Sequence, residues 1–216
     1  MAREPLKERF PVWEVACINL RHNSLLTIGA AAVWCLLTPV LVGTSNLEEQ
    51  AAALPLEMFV SLIGVILLTP VFRPEQNEEI NDLVSSKYIS TTRIYGIRTA
   101  VGAAVVLLLI GLFSLYMGMR NCHVTLLLAL GTLADSWFLG ALGMFTSALC
   151  GNTVIGYMPP ILYYALNIGM GPELGNFYLF SMTRGEYGPK LWLSAAGLLL
   201  AAGALFYQKN KSRIKL

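Results

Sequence analysis

The chain has 216 residues, of which 56% are hydrophobic and 13% charged. Soluble domains carry about a quarter charged residues, so the deficit makes lipid the natural solvent and argues against a soluble enzyme. A net charge of +2 is too small to suggest a nucleic-acid partner. The two histidines and four cysteines form no CxxC, HExxH or zinc-type spacing, so no metal site is expected.

Residues 1–23 mix acids, bases and prolines before any apolar run, which is not the pattern of a cleavable signal. Trp13, Ala16, Cys17 and Leu20 fall at helical spacing there, with Glu14 and Arg21 elsewhere on the wheel. This predicts an interfacial helix within residues 1–24, with a plain soluble lead-in as the alternative.

Six apolar blocks follow, at 25–43, 54–72, 99–118, 124–150, 154–170 and 191–207. At 1.5 Å per residue, roughly 20 residues cross a hydrocarbon core. Backbone groups in lipid need internal hydrogen bonds, and no short alternating segments of a β-barrel appear. The predicted fold is all-α and polytopic, with six transmembrane helices over 25–207 and a basic tail at 208–216. Pro159-Pro160 predicts a bend in the fifth helix, not two spans.

Orientation follows from the basic residues. With the N-terminus inside, the cytoplasmic set is Arg3, Lys7, Arg9, Arg21, Arg73, Lys87, Arg93, Arg98, Lys209, Lys211, Arg213 and Lys215. Arg120, Arg184 and Lys190 make up the outer set. The expectation is a cell-membrane protein with both termini in the cytoplasm. Cys17 and Cys150 then face the cytoplasm, Cys35 lies in the first span and Cys122 is alone outside, so no intramolecular disulfide is expected.

The connection 73–98 is the largest cytoplasmic one. Glu75, Glu78, Glu79 and Asp82 make it acidic at its start, Ile80, Leu83 and Val84 give a small apolar stripe, and Lys87 comes late. That charge order suits a short amphipathic helix able to dock on a soluble partner; a solvated loop is the alternative.

Inside the spans, Asp135 lies beside a stripe of small and polar residues: Thr132, Ser136, Gly140, Gly143 and Ser147. A charge at mid-membrane costs about 2.5–3.5 kcal/mol or more, so Asp135 should face protein or water. It lines a path or pairs two helices, and no base in another span stands out as its partner. Glu57 is expected near the outer end of its span, within reach of water. Tyr163 and Asn167 share a helix face, available to substrate or to helix packing. His22 and His123 fall on opposite sides and no GxSxG occurs, so no catalytic residues are assigned.

The order of parts resembles the type-2 ABC transporter permease, the membrane subunit of an ATP-driven transporter. The residues that carry the likeness are LRHNSLL opening the first span, a Pro-Glu loop with EEINDLVSS after the second, and KYISTTRIYGIR leading into the third. The resemblance implies that 73–98 holds a coupling helix, with Glu75, 78–86 and Arg93/Arg98 in the family's places. Glu75, Glu78, Glu79, Ile80, Asp82, Leu83 and Lys87 would then contact an ATP-binding subunit. The chain lacks GxxxxGK[ST], so ATP and Mg would be bound by that separate chain and no cofactor by this one. A second permease, identical or a paralogue, would complete a dimer in the bilayer. The segment 171–190, containing NFYLFSMTRG, falls where the family places short re-entrant helices; an interfacial aromatic belt is the other reading. The implied function is export of an amphipathic peptide or lipid-like substrate, with Asp135, Ser136, Tyr163 and Asn167 as path or packing residues. The alternatives are a substrate-capture subunit of a vitamin uptake system and a lipid-modifying membrane enzyme.

Overall fold

The structure is a computed structural model that describes residues 24–76 and 91–214. The described residues are helical throughout, apart from short connections. The principal helices are α1 (Leu25–Val42), α2 (Glu49–Leu54), α3 (Ile63–Leu68), α4 (Thr91–Met119), α5 (Leu126–Cys150), α6 (Thr153–Met170) and α7 (Gly188–Ile214). Five helical stretches among the described residues are long and apolar enough to cross a membrane: Leu25–Val42, Glu49–Arg73, Ile94–Met119, Leu126–Cys150 and Gly188–Asn210. α6 is one continuous helix with Pro159 and Pro160 inside it, but its tyrosines, prolines and Asn167 dilute its apolar character. The last helix runs on to Ile214, well past the apolar block.

The second rod is a single path through two helices and three irregular turns. α2 passes into a π turn at Pro55–Phe59, a 3-10 turn at Val60–Leu62, then α3 and a 3-10 stretch at Thr69–Gln76. Pro55 brings no N–H, so the regular i→i−4 ladder cannot continue through it. The carbonyls shifted out of register find side-chain donors: Trp34 Nε1–H donates to the Phe59 carbonyl at 2.9 Å, and the Tyr164 hydroxyl to the Met58 carbonyl at 2.5 Å. Such π turns occur often at functional sites, and this one contains Glu57.

α5 is the central helix and packs against α7, α6 and the second rod. Its small residues permit the approach. A Cβ on Gly64 would overlap the Ser136 backbone, and one on Gly140 would meet the Gly64 carbonyl at 2.6 Å. Gly143 and Gly156 face each other across α5 and α6 in the same way. The stripe read from the sequence is therefore a helix-packing seam.

The same contacts fix direction. Gly64 lies at Ser136 and Thr69 at Gly143, so the second rod runs parallel to α5. Gly131 lies at Lys190, Gly197 at Trp137 and Gly203 at Phe145, so α7 does too. α6 returns antiparallel through a tight turn. There Gly151 takes a left-handed conformation (φ 64°) and donates to the Ser147 carbonyl, while Asn152 caps α6 by accepting from Val154 N–H at 2.8 Å. The rods thus alternate in direction, with Ser24, Arg73, Arg98 and Cys150 toward one end.

The connections at the opposite end are tied together. Asn46 N–H donates to the Arg120 carbonyl and His123 N–H to the Leu47 carbonyl. Glu49 accepts from the Thr125 and Tyr187 hydroxyls, each at 3.0 Å. Burial, with donation to Glu49, lifts the Tyr187 hydroxyl above the usual phenol range, so it stays a donor.

Candidate functional site

The sequence between α6 and α7 folds back into the end of the bundle. Gly171–Phe177 and Met182–Arg184 form short 3-10 turns, and Leu179, Phe180, Ser181 and Met182 between and within them are buried. Non-helical backbone at such a position needs partners for its N–H and C=O groups. α6 supplies two. Asn167 is fully buried; its Oδ1 accepts from Leu179 N–H at 2.7 Å, and its Nδ2 donates to the Tyr163 carbonyl at 2.9 Å. The Tyr163 hydroxyl donates to the Phe177 carbonyl.

The second rod supplies more. Glu57 is fully buried and reaches this segment from its π turn. Its Oε1 accepts from Met182 N–H at 2.8 Å and its Oε2 from Thr183 N–H at 3.1 Å. A carboxylate holding two successive amides is a strong, charge-assisted anchor.

Lys190 completes the cluster from the first turn of α7. Its Nζ is 2.6 Å from Glu57 Oε1 and 2.6 Å from Asp135 Oδ2, and it also donates to the Leu179 carbonyl. An ammonium has three donors, and here three acceptors surround it. Glu57 and Asp135 are 0% exposed and Lys190 is 5% exposed. Asp135 Oδ1 has no hydrogen-bond partner among the described residues.

Asp135 lies nine residues past Leu126, about 13 Å along α5 from its start. The cluster is therefore inside the bundle, below the connected loops. It joins the second rod, α5, α7 and the buried segment that leads into α7.

No family model, curated protein or solved structure matches this chain.

Two expectations change. Asp135 does have a basic partner: Lys190, counted from sequence with the outer loop, belongs to α7, which begins at Gly188. Glu57 is not at a watery interface but sealed behind Met182 and Thr183, because its carboxylate serves their amides. A sign of both was available. Two acids in apolar blocks need a base, and Gly188-Pro189 is a permissible first turn for the helix that carries Lys190.

The remaining sequence-named residues are placed as follows. Ser136 is buried where the second rod touches α5, so it packs helices. Tyr163 and Asn167 hold the segment between α6 and α7, and the Tyr163 ring stands edge-on to Phe138 at 5.1 Å. Glu75 falls in the 3-10 stretch that closes the second rod. Glu78, Glu79, Ile80, Asp82, Leu83 and Lys87, like the interfacial helix expected before Ser24, lie outside the described residues.

With its three charged groups sealed, the cluster is a clasp in this conformation. Its ion pairs and hydrogen bonds tie the segment between α6 and α7, and the start of α7, to the second rod and α5.

Proposed function

We propose that this chain is the membrane subunit of an ATP-driven transporter, the permease half that type-2 ABC systems pair with a separate ATPase. One observation carries the reading: the segment between α6 and α7 turns back into the bundle at the end opposite the acidic connection 73–98. That is where the sequence resemblance calls for short re-entrant turns. The alternating direction of the rods supports six crossings, with α6 as the fifth despite its polar residues. The excess of Lys and Arg at the end that carries Arg73, Arg98 and Lys209 supports a cytoplasmic position for that end and for both termini.

In this reading the ATPase binds at Glu75, Glu78, Glu79, Ile80, Asp82, Leu83 and Lys87. It binds ATP and Mg and moves the second rod and α4, which flank that loop. A second permease shares the path. The clasp at Glu57, Asp135 and Lys190 holds the outer end of the rods together until that motion releases it. The apolar rods suit an amphipathic cargo, and the proposed direction is export.

The test is affinity purification of the tagged chain from its own membranes in mild detergent. A P-loop ATPase should co-purify, and charge reversal at Glu75, Glu78, Glu79 and Asp82 should uncouple its ATP hydrolysis from transport. Transport by the purified chain with no ATPase present would overturn the proposal.

A further inference from the structure

The clasp joins two acids to one base. Glu57 and Asp135 are sealed against a single ammonium, so with all three groups ionised the cluster carries one uncompensated negative charge. An unpaired charge is costly in a bundle interior, and a group so placed takes its neutral form instead.

The surrounding elements supply no second cation at this level. α1 contains no charged residue, and Arg93 and Arg98 stand in the first turns of α4, at the far end of the bundle. In α7 the next base after Lys190 is Lys209, also at the far end. α6 brings Tyr163, whose ring lies on Phe138 and whose hydroxyl donates to the Phe177 carbonyl. The segment before α7 brings two amides and a carbonyl, and its Arg184 is exposed. Glu49 and Tyr187 pair with each other in the connections above.

The two acids are not equivalent. Glu57 receives three donors, from Met182 N–H, Thr183 N–H and Lys190 Nζ, and each favours the carboxylate. Asp135 receives one, at Oδ2, and its fully buried Oδ1 has no hydrogen-bond partner among the described residues. Glu57 is thus held as the anion, and Asp135 is where a further positive charge can be added. Among the described residues no group of three acids, cysteines or histidines gathers to hold a metal ion, so the cation that suits the place is a proton.

We propose that the closed clasp binds one proton, on Asp135, and that opening it lets the carboxyl O–H ionise and pass that proton to the water admitted at that end of the bundle. The closed cluster is then neutral: a Glu57 carboxylate, a Lys190 ammonium and an Asp135 carboxylic acid. The closed state holds one more proton than the open or unfolded one, so closure weakens as pH rises. The proposal rests on the clasp and not on the ATPase.

The experiment uses the full chain in neutral detergent, with no ATPase added. Infrared spectra are compared for chain made with ordinary and with carboxyl-labelled aspartate. The chain contains two aspartates, Asp82 and Asp135, so the label reports on these alone. The carbonyl stretch of a protonated carboxylic acid should be present at about pH 7, where an ordinary aspartate is ionised. It should shift with the label and be absent from Asp135→Asn. Glu57→Gln should abolish it too, since Lys190 then faces a single carboxylate. The second readout is the thermal midpoint between about pH 5 and about pH 7. One proton is a factor of ten in the equilibrium per pH unit, so the parent should lose about 3–5 °C per unit relative to Asp135→Asn. Asp135→Asn keeps the Glu57–Lys190 pair, so this comparison holds even if Glu57→Gln fails to fold. A labelled chain with no protonated-acid band, a band that survives Glu57→Gln, or parent and Asp135→Asn midpoints that run parallel with pH would overturn the proposal. An ATPase that fails to co-purify would leave these results untouched, so the two readings fail separately.

Discussion

Replacing Lys190 by methionine probes the clasp directly. Methionine keeps much of the length and apolar bulk of the lysine stem but removes the ammonium. Glu57 and Asp135 then share a sealed space with no counter-charge, and the Leu179 carbonyl loses its side-chain donor. Breaking a buried ion pair by removing one partner costs about 3–5 kcal/mol. For a chain of this length each kcal/mol lowers the midpoint by about 2–4 °C, so the variant should melt about 6–20 °C below the parent in detergent. The charge argument makes a second demand. Lys190→Met combined with Glu57→Gln and Asp135→Asn has no stranded charge, and replacing a whole buried charge cluster is often nearly neutral. The triple variant should therefore recover most of the lost midpoint. Asp135→Asn alone should be mild, within about 1 kcal/mol, because Lys190 keeps Glu57 and the Leu179 carbonyl. Differential scanning fluorimetry on the four purified proteins is sufficient. A Lys190→Met midpoint within about 3 °C of the parent, or a triple variant no more stable than the single one, would refute the reasoning.

Glu57→Gln should loosen the segment between α6 and α7, since one of the Met182 and Thr183 amides loses a charged acceptor worth about 1.5 kcal/mol. Tryptic cleavage after the exposed Arg184 should then be about tenfold faster, scored by the rate of appearance of the two fragments. Gly64→Ala should destabilise the chain by about 1–3 kcal/mol or more, because the new Cβ lands on the Ser136 backbone. Gly111→Ala, where nothing lies within reach, should be neutral or slightly stabilising, and the contrast is read from the two midpoints. Single cysteines at positions 184 and 209, in a chain freed of its native thiols, should react with an impermeant maleimide on opposite sides of intact cells. Position 184 should label at once and 209 after permeabilisation; the reverse order would invert the orientation.

Five of the six apolar blocks fall in helices long and apolar enough to cross a membrane, because a bilayer imposes a length and a composition on any chain that crosses it. The small-residue seam of α5 was legible too: Gly140 and Gly143 sit at helical spacing beside Ser136 and Ser147, and close helix approach requires small residues at that spacing. Within α6 the double proline gave a single helix, since Thr153–Met170 stays continuous around it. The irregular second rod was harder to read. Pro55 marks where the ladder breaks, but the π turn that follows depends on Trp34 and Tyr164, which come from distant positions to take up the displaced carbonyls.

Local sequence determined which stretches are helical and apolar, because periodicity and hydropathy act over a few turns. Tertiary structure alone decided that Glu57, Asp135 and Lys190 meet. They stand 78 and 55 residues apart along the chain (135 − 57 and 190 − 135). An ion pair depends on distance in space, and that distance is set by how the rods pack and by how deeply the segment before α7 turns back among them.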